Sequence, residues 1–297
     1  TDILAASLAL EKNDPGNARL HLERHLPESG AKDIRGFEWC YLVAQCKGRE
    51  LATLRDHQHI LTSLSWSPDG SRLASADHSG HLIIWQGTRD AAAPLRIEKH
   101  YTFPDHINKI YWLNDEQIFI AGSADSTQLI NVHDGSRVNS WPGVSFTVSA
   151  DHSLLAVARS GVFYYQASGD VTLYRLPSGK KIRTIAPLGR ALAISPDSTR
   201  LALAIPNRAF PDQEADLEIH NLTQPTSPPL TITTKNPIWA MQFSPDGKKL
   251  LANITGTSEV SGWDVLTGQS LAALTGHSQS VWSATYINSG KEILTTG

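Results

Sequence analysis

Only 2 cysteines and 1 methionine occur among the 297 residues. The chain also lacks any apolar run near the ~18 residues that a membrane-spanning helix requires. Cys40 and Cys46 fall on one expected helix, at a spacing that turns their Cβ atoms to different faces, so they cannot meet in a disulfide. An excess of one charge is missing too: 26 Lys and Arg stand against 29 Asp and Glu, a net charge of −3. Without clustered basic residues to displace counterions from phosphates, nucleic acid is not an expected partner. Motifs of catalysis are equally absent. There is no glycine-rich loop ending in Lys-Ser or Lys-Thr, no Gly-x-Ser-x-Gly elbow, no His-Glu-x-x-His helix, and no His-Arg-Asp or Asp-Phe-Gly. The expectation is a protein that is not an enzyme and uses no cofactor.

What the chain does contain is repetition. Four segments align directly: Leu61–Gly70, Leu192–Ser198, Ile238–Gly247 and Val281–Gly290. Two weaker copies, Ile110–Glu116 and Phe146–His152, fill the gaps between them. The spacing brackets the ~40–45 residues of a four-stranded propeller blade. Each copy runs from an alternating apolar strand into a Ser-Pro-Asp-Gly type of turn, where Pro presets φ and Gly accepts a positive φ. A second strand follows, as in Arg72–Ser75 or Lys249–Ala252, then a third ending near Trp, as in Leu82–Trp85 and Val260–Asp264. A fourth is expected over Gln269–Leu274. Strands and tight turns repeated radially limit exposed sheet edges.

Gly276 and His277 before a first strand, the Ser-Pro-Asp-Gly turns, and Trp263-Asp264 closing a third strand resemble the WD40 family over roughly residues 48 to 297. The resemblance implies an all-β fold, a WD40-type β-propeller with a short N-terminal helical segment. Domains are expected at 1–47 (helical) and 48–297 (propeller). It also implies a polar network of His, Ser or Thr, Asp and Trp in each blade. The first blade offers His57, Ser75 and Trp85, with Ser79 where Asp is usual; the second keeps Asp125 but has Asn131 in the Trp place. The fifth keeps Trp263 and Asp264 and puts Thr234 in the His place, while the sixth offers His277 and Thr296. The chain reads as a fragment: about seven blades are expected when intact, with the sixth cut short here and Glu50–Arg55 supplying the strand that closes the ring.

Residues 1 to 47 change to helical periodicity, broken at Asn13–Gly16, where a new helix can be capped and started. A third run, Ile34–Val43, is amphipathic with Phe37, Trp39 and Tyr41 as aromatic anchors. The segment Arg35–Trp39 with Tyr41 and Leu42, close before the repeats, is similar to the junction in bacterial serine/threonine kinases that carry a C-terminal WD40 array.

Candidate sites follow from position. The residue after the opening apolar residue of each first strand lies near the channel mouth in the family, which points to Thr62, Asn108, Val144, Arg190, Trp239 and Trp282. Trp and Arg are enriched at binding hot spots, although the two Trp side chains can equally pack between blades. Insertions at Ser160–Gly169 and Pro206–Ala215, between second and third strands, add Phe163, Tyr164, Tyr165 and Phe210 as an aromatic contact patch. His57, His59, His78 and His81 share one face of the first blade, but lack the spacing and the carboxylate or thiol that a metal site would use, so no metal is expected.

The leading function is a non-catalytic protein-interaction scaffold whose partners are proteins or peptides. The alternatives are the sensory or docking arm of a bacterial membrane serine/threonine kinase, and a propeller enzyme with a metal or hydrolytic site in its channel. Membrane contact is not expected of this segment, though a membrane anchor elsewhere in a longer protein is compatible with it. The compartment is cytoplasmic by default and extracytoplasmic if a membrane kinase is attached.

Overall fold

The computed structural model describes residues 2–11, 14–26, 36–46, 54–87, 95–122, 126–159, 169–185, 191–206, 215–254 and 256–296. They fall into two compact units, residues 1–56 with 90–95, and residues 57–89 with 96–297.

The smaller unit holds three helices, α1 (Asp2–Glu11), α2 (Pro15–Glu23) and α3 (Phe37–Cys46). Asp14 caps α2, its carboxylate accepting from the Asn17 amide at 2.9 Å while Pro15 occupies the first turn, where no N–H is needed. Ala6, Ala9, Ala18, Leu22, Leu42 and Cys46 form the core. Of the three expected aromatic anchors only Trp39 acts as one, packing on this core and donating its indole N–H to the Leu22 carbonyl at 3.0 Å. Phe37 and Tyr41 stack on one another on the exposed face. Cys40 is exposed and Cys46 buried, on different sides of α3. Ile34 and Arg35, at the start of the third helical run, lie outside the described residues.

In the larger unit the first sheet comprises β1 (Leu61–Trp66), β2 (Arg72–Asp77), β3 (His81–Gln86) and β4 (Arg96–Thr102). The second comprises β5 (Ile107–Asn114), β6 (Gln117–Gly122), β7 (Ser126–Asn131) and β8 (Arg137–Pro142). The third comprises β9 (Ser145–Val148), β10 (Leu154–Ala158), β11 (Val171–Arg175) and β12 (Lys180–Ile185). The fourth comprises β13 (Leu192–Ile194), β14 (Arg200–Pro206), β15 (Ala215–Asn221) and β16 (Leu230–Thr234). The fifth has β17 (Ile238–Phe243), β18 (Lys249–Ile254) and β19 (Val260–Asp264), and the sixth β20 (Ser283–Ile287) and β21 (Glu292–Thr296). Each sheet pairs its strands antiparallel and in chain order.

Gln269–Leu274 does not form the continuous fourth strand expected of it. It runs beside β19 through isolated bridges at Val260↔Leu274 and Trp263↔Ser270 and through hydrogen bonds from the Leu271 amide to Gly262 and from the Asp264 amide to Gln269, without a continuous ladder. Its side chains are mostly exposed, so little burial holds it in a ladder. Of the expected closing strand, residues 50–53 lie outside the described residues, and Leu54 and Arg55 belong to no strand.

Apolar faces of consecutive sheets pack on each other in chain order. Ala74, Ala76 and Ile84 of the first meet Ile110, Trp112 and Ile118 of the second. Phe119 and Trp141 of the second meet Phe146, Leu155 and Tyr174 of the third, with Phe119 and Phe146 ring centroids 5.4 Å apart. Val171 and Leu173 of the third sheet continue the pattern against Leu201 and Leu203 of the fourth. The fourth and fifth sheets share Ala202, Leu217, Phe243, Leu250 and Trp263. Between the fifth and sixth the core thins to Leu251, Val260 and Val281, with Tyr286 and Ile293 only partly buried against it.

The turns explain why Ser-Pro-Asp-Gly recurs. Ser67, fully buried, donates its hydroxyl to Asp69 at 2.6 Å and accepts from the Arg72 amide at 2.9 Å. The same bonds recur at Ser149 with Asp151, Ser195 with Asp197, and Ser244 with Asp246. Gly70 sits at φ 70°, a backbone region that L side chains rarely adopt.

Candidate functional site

The inner strands β1, β5 and β17 share one irregularity. In β1, Leu61 faces Asp77 and Ser63 faces Ala76, leaving Thr62 as an extra residue. In β5, Asn108 is extra between Ile107 and Lys109, and in β17, Trp239 is extra between Ile238 and Ala240. A β-bulge of this kind re-aims a side chain out of the ladder. Three of the positions read from sequence therefore coincide with bulges.

Their side chains are used differently. The Thr62 hydroxyl reaches the Ile107 carbonyl at 2.6 Å and so ties the first sheet to the second. Asn108 is exposed. Trp239 is 43% exposed and Trp282, just before β20, is 68% exposed, so neither indole is buried between sheets. The Val144 amide bonds the Ala158 carbonyl at the start of β9. Arg190, Phe163, Tyr164, Tyr165, Phe210 and Asp125 lie outside the described residues.

The polar network of the first sheet is complete, in a form that spacing along the chain does not reveal. His57 Nδ1 lies 2.8 Å from the Asp77 carboxylate and its Nε2 lies 2.7 Å from the Ser75 hydroxyl, which also accepts from the Trp85 indole at 2.8 Å. Asp77, not Ser79, fills the acid position. Ser79 instead donates its backbone amide to Asp77. Burial pushes the Asp77 carboxyl up, but hydrogen bonds from His57, from the His81 and Ser79 amides and from the His81 ring outweigh it and hold it well below the usual carboxylate range.

In the sixth sheet His277 bonds Thr295 at 2.8 Å rather than the expected Thr296, because side chains alternate along β21. Trp263 is buried in the core between the fourth and fifth sheets, and Asp264 caps the next turn by accepting from the Leu266 and Thr267 amides. Thr234 is buried and donates to the Asn236 carbonyl at 2.9 Å.

The family description "WD domain, G-beta repeat" matches residues 48–86, the stretch that carries His57, Ser75, Asp77 and Trp85. The six packed antiparallel sheets are consistent with the fold of a WD40-type β-propeller. The propeller is similar to telomerase protein component 1 of Rattus norvegicus, 30% identical over 43% of this chain and 5% of that protein. It is also similar to SIR4-interacting protein SIF2 of Saccharomyces cerevisiae, 23% identical over 78% of this chain and 36% of that protein. A third relative is the WD repeat-containing protein WDS homolog of Arabidopsis thaliana, 22% identical over 77% of this chain and 34% of that protein. The chain thus spans about a third or less of the length of these relatives.

Among the described residues, no group of three or more His, Cys, Asp or Glu is placed to hold a metal ion. No helix among them is long and apolar enough to cross a membrane.

Proposed function

We propose that this propeller is a non-catalytic scaffold that captures a protein or peptide partner at the mouth of its inner strands, with Trp239 and Trp282 as anchors. The observation that carries this reading is the exposure of two indoles at matching positions of neighbouring sheets, one of them re-aimed by a bulge. Tryptophan is among the residue types that an interface buries with most effect. Asn108 adds an exposed polar side chain on the same set of inner strands. The yeast relative is, by its name, a protein that interacts with another protein. The test compares capture from a lysate of the source organism by the wild type and by a Trp239→Ala, Trp282→Ala variant. Loss of a discrete partner with an unchanged circular dichroism spectrum supports the reading; unchanged capture by the folded variant overturns it.

A narrower reading makes the propeller the docking arm of a bacterial membrane serine/threonine kinase. It rests on the Arg35–Trp39 junction with Tyr41 and Leu42. Reading the gene on both sides of this segment tests it: a kinase domain and an apolar span upstream support it, and their absence overturns it.

A further inference from the structure

Half of the 12 histidines, His57, His59, His78, His81, His100 and His106, gather at one end of the first and second sheets. The His59 and His81 rings are 6.0 Å apart and nearly parallel, and His81 and His100 are 5.5 Å apart. His78 and His106 lie closer, with centroids 4.5 Å apart and planes 11° from parallel. The loops that carry this last pair are fixed. Gly80 accepts from the Phe103 amide at 2.9 Å, and a Cβ at Gly80 would meet the Phe103 carbonyl oxygen at 2.4 Å.

The acid at the centre of the patch is already committed. Asp77 has no exposed side-chain surface and is engaged by His57 and His81. On β4, Glu98 faces Arg72 at 4.0 Å, beside Lys99. On β5, Lys109 donates to the Phe146 carbonyl at 2.8 Å. Asp105, next to His106, is the one further acid in that loop. Among the described residues, no carboxylate bonds the rings of His59, His78, His100 or His106.

We propose that this histidine patch is a proton-linked docking surface for an extended acidic segment of a partner protein, binding more tightly as pH falls. Imidazole side chains change charge between pH 5 and 8. Cations this close repel, and with Asp77 already engaged by His57 and His81 the carboxylates of a partner would relieve that repulsion. Side chains on one face of an extended peptide recur at about 6.6–6.8 Å, near the 5.5 and 6.0 Å steps from His100 through His81 to His59. The proposal rests on the reading of the chain as an interaction module, but on neither tryptophan.

The test measures a fluorescent octa-aspartate peptide by anisotropy at pH 7.5 and 5.8 and constant ionic strength; its side chains stay ionised, since Asp titrates near 3.9. The wild type is expected to bind about tenfold more tightly at the lower pH, the linkage expected when binding takes up on average roughly 0.6 of a proton across that interval. A His59→Gln, His100→Gln variant, which removes the two exposed ends of the His100–His81–His59 row, should lose most of that gain. A His133→Gln, His220→Gln variant removes the same number of histidines elsewhere and should keep it. A pH-independent wild type, or equal loss in both variants, overturns the proposal. The Trp239→Ala, Trp282→Ala variant should keep the pH response even if its own partner capture proves unaffected, so the two readings fail separately.

Discussion

Replacing Ser75 by Ala removes one hydroxyl from the centre of the first sheet's network. Ser75 is 3% exposed and Trp85 2% exposed, so the Trp85 indole N–H and His57 Nε2 would be left without their partner and out of reach of bulk water. A buried polar group stripped of its partner costs about 1–3 kcal/mol. With two groups affected and some local relaxation, the expected loss is about 2–4 kcal/mol. At about 2–4 °C per kcal/mol for large domains, the melting temperature should fall by about 4–16 °C. The assay is thermal unfolding followed by circular dichroism, with urea unfolding as a second measure. Ser75→Thr restores the hydroxyl and should recover most of the loss. A Ser75→Ala protein that melts within about 1 °C of the wild type would show that this network does not hold the sheet, on the same scale.

Asp77 gives a pH-dependent prediction. Its carboxyl is held below the ordinary range when folded, so its contribution is present above the unfolded value near 3.9 and is lost as pH falls from there toward the folded value. Asp77→Asn should therefore flatten the acid side of the stability profile below about pH 4, and an unchanged slope would contradict the assignment. Gly80→Ala should destabilise the protein by more than the ~1 kcal/mol typical of a point substitution, because φ 84° and the Phe103 carbonyl both oppose a Cβ; urea unfolding measures it. In α3, exposed Cys40 should react quickly with a thiol reagent. Cys46, whose thiol pKa is pushed up by burial, should react only on unfolding, which counting thiols before and after denaturation checks.

Much of this architecture can be read from the chain because it is local. Ser67 and Asp69, or Ser244 and Asp246, sit two residues apart and close their own turn, so each copy announces the end of an inner strand. The bulge positions Thr62, Asn108 and Trp239 follow from their place after the opening apolar residue, although the bulge itself leaves no residue signature. Asp77 escapes a reading of spacing alone, which points to Ser79, whereas the fold lets a carboxylate two residues earlier reach His57. His100 and His106 join the histidine patch only through strand pairing and the loop that follows β4, contacts that no short window contains.

If the exposed indoles mark where a partner sits, a photo-crosslinking amino acid at position 282 should find that partner. The control position is Val138, which is also exposed but lies on the outer strand β8. Irradiation in a lysate of the source organism should give a discrete protein adduct from position 282 and none of the same mass from position 138. The same adducts from both positions, or none from 282, would mean that the indoles do not mark a binding surface.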